Sequence, residues 1–106
     1  MKYLLTLLAF ALFAQAPSPR LSTVTPDTGK SGAEFAATGE HLTKTDFKDL
    51  FLTNGKDDIK LRIVTQKEDA IQFQVPATTK PGRYTLMFLS ADGKQYIEQP
   101  VKLTIE

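Results

Sequence analysis

With 106 residues, 13 Lys plus Arg against 12 Asp plus Glu, and no cysteine, the chain has room for one small core and no disulfide to brace it. The near-neutral balance excludes nucleic-acid recognition by counterion release, which needs a basic surface, and a charge-driven hold on a membrane. A lipid-modified amino-terminal cysteine is excluded with the disulfides.

The chain opens with Lys2, then Leu4 to Phe13, apolar except for Thr6, and then the small residues Ala14-Gln15-Ala16, the layout of a cleaved export signal. That apolar run of ten residues is half of the about twenty that a membrane span requires. Pro17 disfavours a cut after Ala16, so cleavage after Ala14, cleavage after Ala16 and retention as an anchor all stay open. The expectation is a signal over 1–16, a stiff Pro-Ser-Pro leader over 17–19 and one domain over 20–106. That domain is expected outside the cytoplasm, extracellular or periplasmic, without stable membrane insertion once the signal is removed. Setting Lys2 aside leaves twelve basic and twelve acidic side chains, a net charge of zero.

Leu21 to Thr25 is β-prone and stops at Pro26, whose missing N–H ends a ladder. Gly29 and Gly32, among Asp27, Thr28, Lys30 and Ser31, make a turn. From Ala33 to Thr38, Phe35 and Ala37 share one face while Glu34, Ala36 and Thr38 share the other, the alternation of a half-buried strand. Glu40 to Lys48 reads as a connecting loop pegged by Leu42 and Phe47. Leu50 to Thr53 is a strand, followed by Asn54-Gly55, a hairpin signal of the type I′ kind within a longer loop. Ile59, Leu61 and Ile63 then alternate with Lys60 and Arg62, and Glu68-Asp69 marks a bend.

Ile71, Phe73 and Val75 alternate with Gln72 and Gln74 up to Pro76, and Lys80-Pro81-Gly82 turns the chain. Arg83 to Ser90 carries Tyr84, Leu86 and Phe88 on one side and Met87 and Leu89 on the other, so this strand is apolar on both faces. Ala91-Asp92-Gly93-Lys94 is a second hairpin turn. Gln95 to Ile105 returns with Val101, Leu103 and Ile105 on one side, and Pro100 predicts a bulge or bend in it. Seven β-prone runs without a helical period predict an all-β, immunoglobulin-like antiparallel sandwich. Its expected core includes Leu21, Val24, Phe35, Ile71, Phe73, Tyr84, Leu86, Phe88, Val101 and Leu103.

The order Leu21-Ser22-Thr23-Val24-Thr25-Pro26, Gly29, Gly32, Phe35-Ala36-Ala37-Thr38-Gly39, and later Ile71-Gln72-Phe73-Gln74-Val75-Pro76 with Gly82, resembles an IPT/TIG domain of the plexin and transcription-factor type, over about Arg20 to Glu106. Leu42 stands where that family usually has an aromatic, and Asn54-Gly55 replaces its common Gly-Gly. The resemblance implies a non-catalytic protein-interaction or spacer module.

His41, the single histidine, lies beside Glu40 with Asp46 and Asp49 further on, but no nucleophile motif accompanies it, so no catalytic residue is assigned. Asp57-Asp58 and Glu68-Asp69 lack the spaced acidic loop that calcium requires, and one His without Cys does not make a zinc site, so no metal or cofactor is expected. The candidate contact surface is the outer face of the double-sided strand, where Phe51, Met87, Leu89 and Tyr96 form an exposed apolar patch. The strand Ile59 to Val64 is a weaker candidate, as a sheet edge open to strand addition but guarded by Lys60 and Arg62. The expected function is a secreted module that binds another extracytoplasmic protein or itself, or that acts as a spacer. A carbohydrate-binding accessory module is the alternative, disfavoured by the absence of Trp and the scarcity of Tyr. A small secreted hydrolase comes third.

Overall fold

The computed structural model describes residues 18–106, so the expected export signal lies outside the described residues. Nine strands follow in order: β1 Arg20–Thr25, β2 Thr28–Gly29, β3 Glu34–Glu40, β4 Phe47–Thr53, β5 Asp58–Lys60, β6 Arg62–Gln66, β7 Ala70–Gln74, β8 Gly82–Ser90 and β9 Tyr96–Ile105. They form two sheets, β1-β3-β7-β6 and β2-β9-β8-β4-β5. This is the strand order of an immunoglobulin-type sandwich, and the expected fold class is the one observed.

The two strands beyond the expected seven arise where the chain changes sheets. After the cis Thr25-Pro26 bond, β2 leaves the first sheet and runs parallel to β9. The run from Ile59 to Val64, expected as one strand, is two. β5 pairs with β4 and β6 with β7, and the crossing falls at Leu61, which is buried and donates its N–H to the Leu50 carbonyl at 2.9 Å. Alternation survives such a crossing, because a side chain on the inner face of either sheet points into the same core.

The expected alternating residues build that core. Phe35 on β3 stacks on Phe73 on β7 with ring centroids 5.8 Å apart, and Phe47 meets Phe88 across β4 and β8 at 4.4 Å. Leu42 and Phe47, the two loop pegs, are both fully inside, and Phe47 already belongs to β4. Val24 is half-buried at the periphery rather than central. The Tyr84 hydroxyl donates to the Lys80 carbonyl at 2.7 Å, so the ring sits in the core while its polar tip ties down the β7–β8 connection.

Two local demands explain residues that periodicity alone leaves open. Gly39 packs against the Arg20 backbone, and a Cβ there would collide with the Arg20 carbonyl oxygen. Pro100 does produce a bulge: Thr85 pairs with Lys102 but Met87 pairs with Glu98, so β9 carries two extra residues in this interval. Gln99 faces inward with Ile97, Val101, Leu103 and Ile105, and its Oε1 accepts the Leu21 N–H at 2.7 Å while its Nε2 donates to the Ile97 carbonyl at 3.3 Å.

Phe73→Ala, which empties the centre of the core, is expected to cost about 3 to 5 kcal/mol in urea unfolding; a loss below about 1 kcal/mol would contradict this packing. Gln99→Ala leaves the Leu21 amide without its acceptor and is expected to cost about 1 to 3 kcal/mol, with hydrogen exchange at Leu21 accelerating more than exchange at Phe73.

Candidate functional site

The sheet register brings the four expected contact residues together. On the outer face of the five-stranded sheet, Phe51 on β4 is opposite Met87 on β8, and Leu89 on β8 is opposite Tyr96 on β9. Residues directly opposite on antiparallel strands point to the same face. Phe51 and Tyr96 lean towards each other across β8 and meet edge to face, with ring centroids 5.7 Å apart. The expectation of an exposed patch is corrected here: Met87 is only 5% exposed, Leu89 9%, and Phe51 half-buried. The long aromatic side chains from the flanking strands cover the two residues on the central strand. Tyr96, at 58%, is the open part of the cluster.

Met87 and Leu89 thus belong to a second apolar cluster on the side of β8 away from the main core. Its rim is charged. Lys60 on β5 sits opposite Phe51, and its Nζ lies 3.4 Å from Oδ1 of Asp49, the β4 residue that pairs with Leu89. Both partners are solvent-accessible, so this ion pair frames the cluster more than it stabilises the fold. Reading the chain strand by strand did not find this pair, although the position of Lys60 in the alternating run was the available signal.

The other candidates resolve into turn structure. His41 follows β3 with φ 58° and is half-buried. It lines a groove of about 490 Å³ with Arg20, Glu40, Glu98 and Gln99. Among the described residues, no group of three or more His, Asp or Glu converges as a metal site would require. Asp57 serves the β4–β5 turn, in which Asn54 Oδ1 accepts the N–H groups of Lys56 at 2.9 Å and Asp57 at 2.7 Å. Gly55 alone of the Asn-Gly pair has positive φ, so the turn is a side-chain-capped loop rather than type I′. The Glu68 and Asp69 carbonyls accept the Leu42 and Gly39 N–H groups, each at 2.9 Å, pinning the loop after β3.

Two turn carboxylates are electrostatically distinct. The Thr43 hydroxyl, and then the Thr43 amide, donate to Asp46 and hold its carboxyl below its ordinary value. The Ser90 hydroxyl, and then the Lys94 amide, do the same for Asp92 in the β8–β9 turn next to Tyr96. Hydrogen bonds to the charged form favour it.

No family profile matches the chain, and no curated protein matches it. Solved structures do. The chain is similar to SGBP-B of the Bacteroides ovatus mixed-linkage glucan utilization locus, determined in complex with a mixed-linkage heptasaccharide, with 16% identity over 84% of this chain and 22% of that one and a TM-score of 0.59. It is also similar to an auxiliary nutrient binding protein from Bacteroides thetaiotaomicron, with 24% identity over 85% and 21% and a TM-score of 0.58. A protein of that organism described as a candidate phosphatase aligns with 17% identity over 85% and 18%, again at a TM-score of 0.58. This chain spans about a fifth of each of these proteins. The likeness is one of fold, a two-sheet β-sandwich. No helix among the described residues is long and apolar enough to cross a membrane.

Because folding lowers the proton affinity of Asp46 and Asp92, each contributes stability that is present above the ordinary aspartate value and is lost as pH falls through the depressed one. Carbon-detected NMR titration is expected to place both carboxyls below the ordinary aspartate value, with the Lys94 amide resonance moving together with Asp92.

Proposed function

We propose that the chain is a non-catalytic, exported immunoglobulin-like module that makes protein–protein contact through the outer face of its five-stranded sheet. The carrying observation is the Phe51–Tyr96 edge pair over Met87 and Leu89, with Tyr96 open to solvent. Aromatic side chains and methionine are enriched in the centres of interfaces, and a polar rim around an apolar centre is the usual anatomy of such a surface. The export signal read over 1–16 and the resemblance to IPT/TIG domains support the same reading.

A photo-crosslinking residue at position 96, in cells that produce the full chain, is expected to yield protein adducts that the same residue at Thr65, on the opposite sheet, does not. Equal labelling at both positions would remove the interaction face and leave the spacer role.

Carbohydrate binding is the second reading, favoured by the open Tyr96 ring, on which a sugar face can stack, and by the heptasaccharide bound to SGBP-B. On this reading, mixed-linkage β-glucan cast into a native gel retards the protein, and Tyr96→Ala abolishes the retardation while lowering the unfolding free energy in urea by no more than about 0.5 to 1.5 kcal/mol, the worth of the lost aromatic pair. Unretarded wild-type protein would remove this glucan as the ligand.

A further inference from the structure

The registers arrange the outer face of the five-stranded sheet in rows across the strands. One row reads Lys60 on β5, Phe51 on β4, Met87 on β8 and Glu98 on β9. The next reads Asp58, Thr53, Thr85 and Lys102. A third reads Asp49, Leu89 and Tyr96, and β5 contributes nothing to it because the chain has left this sheet at Leu61. The vacated corner is a groove of about 400 Å³ lined by Asp49, Lys60, Leu61, Arg62 and Ile63.

Each of the first two rows begins and ends with opposite charges, and the sign reverses from one row to the next. Resting on the reading of this face as a contact surface, we propose that its occupant is a second copy of this chain, docked face to face about a two-fold axis running along the strands between β4 and β8. Such an axis keeps each row in place and reverses its order, as an isologous interface requires. Lys60 then faces Glu98 of the second copy, Asp58 faces Lys102, and Phe51 faces Met87. Tyr96, in the row that β5 leaves empty, faces the groove at the Leu61 crossing.

Charge and size fit this occupant. Among the described residues Asp58, Glu98 and Lys102 have no ion-pair partner within the chain. The acidic Asp49, Asp58 and Glu98 on this face balance the basic Lys60, Arg83 and Lys102, so two copies meet without net repulsion. The β9 bulge is what completes the pattern: continuing the register of Gly82 to Thr85 would set Pro100 opposite Met87, and the two extra residues bring Glu98 into line with Lys60 instead. Nine residues of β8 at about 3.3 Å each and three spacings of about 4.8 Å across the four strands that the axis exchanges give a face of roughly 30 by 14 Å. That footprint is about half of the about 800 Å² per partner of a standard interface, the scale of a weak, reversible dimer.

Sedimentation of the purified protein over a concentration series is expected to show a reversible dimer. Asp58→Lys or Lys102→Glu alone sets like charges against each other at two symmetric places and is expected to weaken the dimer about tenfold or more. The double variant restores the pairs with reversed sign and is expected to return the dimer to within about threefold of wild type. Lys60→Glu with Glu98→Lys is the second such set, and circular dichroism checks that each variant is folded. A monomer up to millimolar concentration overturns the proposal, as does a dimer that ignores the single reversals or is not rescued by both double variants. A monomer that still crosslinks to a foreign protein through position 96 leaves the contact face standing without self-pairing. Equal crosslinking at positions 96 and 65 removes the face itself.

Discussion

At the open side of the sandwich the β1–β3 ladder comes apart in a particular way. Gly39 sends its N–H to the Asp69 carbonyl, and the N–H of its register partner Leu21 goes to the side chain of Gln99 at 2.7 Å. A buried amide left without an acceptor costs about 1 to 3 kcal/mol, so β9, by supplying that oxygen, adds to what the β3 ladder and the buried Leu21 do to hold β1 against the core. Gln99 stands on the inner side of β9 within the interval where that strand bulges, beside Pro100, which has no N–H to give to the ladder. One side chain therefore joins the two sheets at an edge where no strand pairing joins them. The bulge sets which residues of β9 line up with Met87 and Leu89, so the outer face takes its register from the same interval of β9.

The outer face also shows how a nine-stranded domain without disulfides enlarges its apolar interior. β8 is buried on both sides, its inner side chains by the main core and its outer ones by two aromatic rings reaching over from β4 and β9. Among the described residues the cover is made of side chains, without a third layer of backbone. A cover of that kind can be displaced by another surface at the cost of a few rotamers, whereas the main core cannot be opened without parting the sheets.

Much of the architecture was legible because its causes are local. Period-two alternation at Phe35 and Ala37, at Ile71, Phe73 and Val75, and at Tyr84, Leu86 and Phe88 identifies inner faces whatever the topology, and Pro100 announces its bulge. The crossing at Leu61 was not legible, since an inner-facing residue looks the same in either sheet. Nor was the burial of Met87 and Leu89: alternation says which way a side chain points but not whether a ring two strands away folds over it. The Asn54-Gly55 pair marked the hairpin but left its turn type open, because the side chain of Asn54, not its backbone angles, organises that loop. The partnership of Leu21 with Gln99 joins residues 78 positions apart and leaves no periodic trace.

The brevity of the flanking strands has a consequence for the behaviour of many copies at once. The five-stranded sheet ends in β2, two residues long, and β5, three residues long. The other sheet ends on one side in β6, where the ladder slips between Ile63 and Thr65 and Arg62 stands at the start of the strand. Edges so short, or so interrupted, offer a passing chain too few consecutive N–H and C=O groups to template fibrous growth. Of the four sheet edges only β1, six residues long, offers more than that, so it is the one edge along which pairing between crowded copies has room to start.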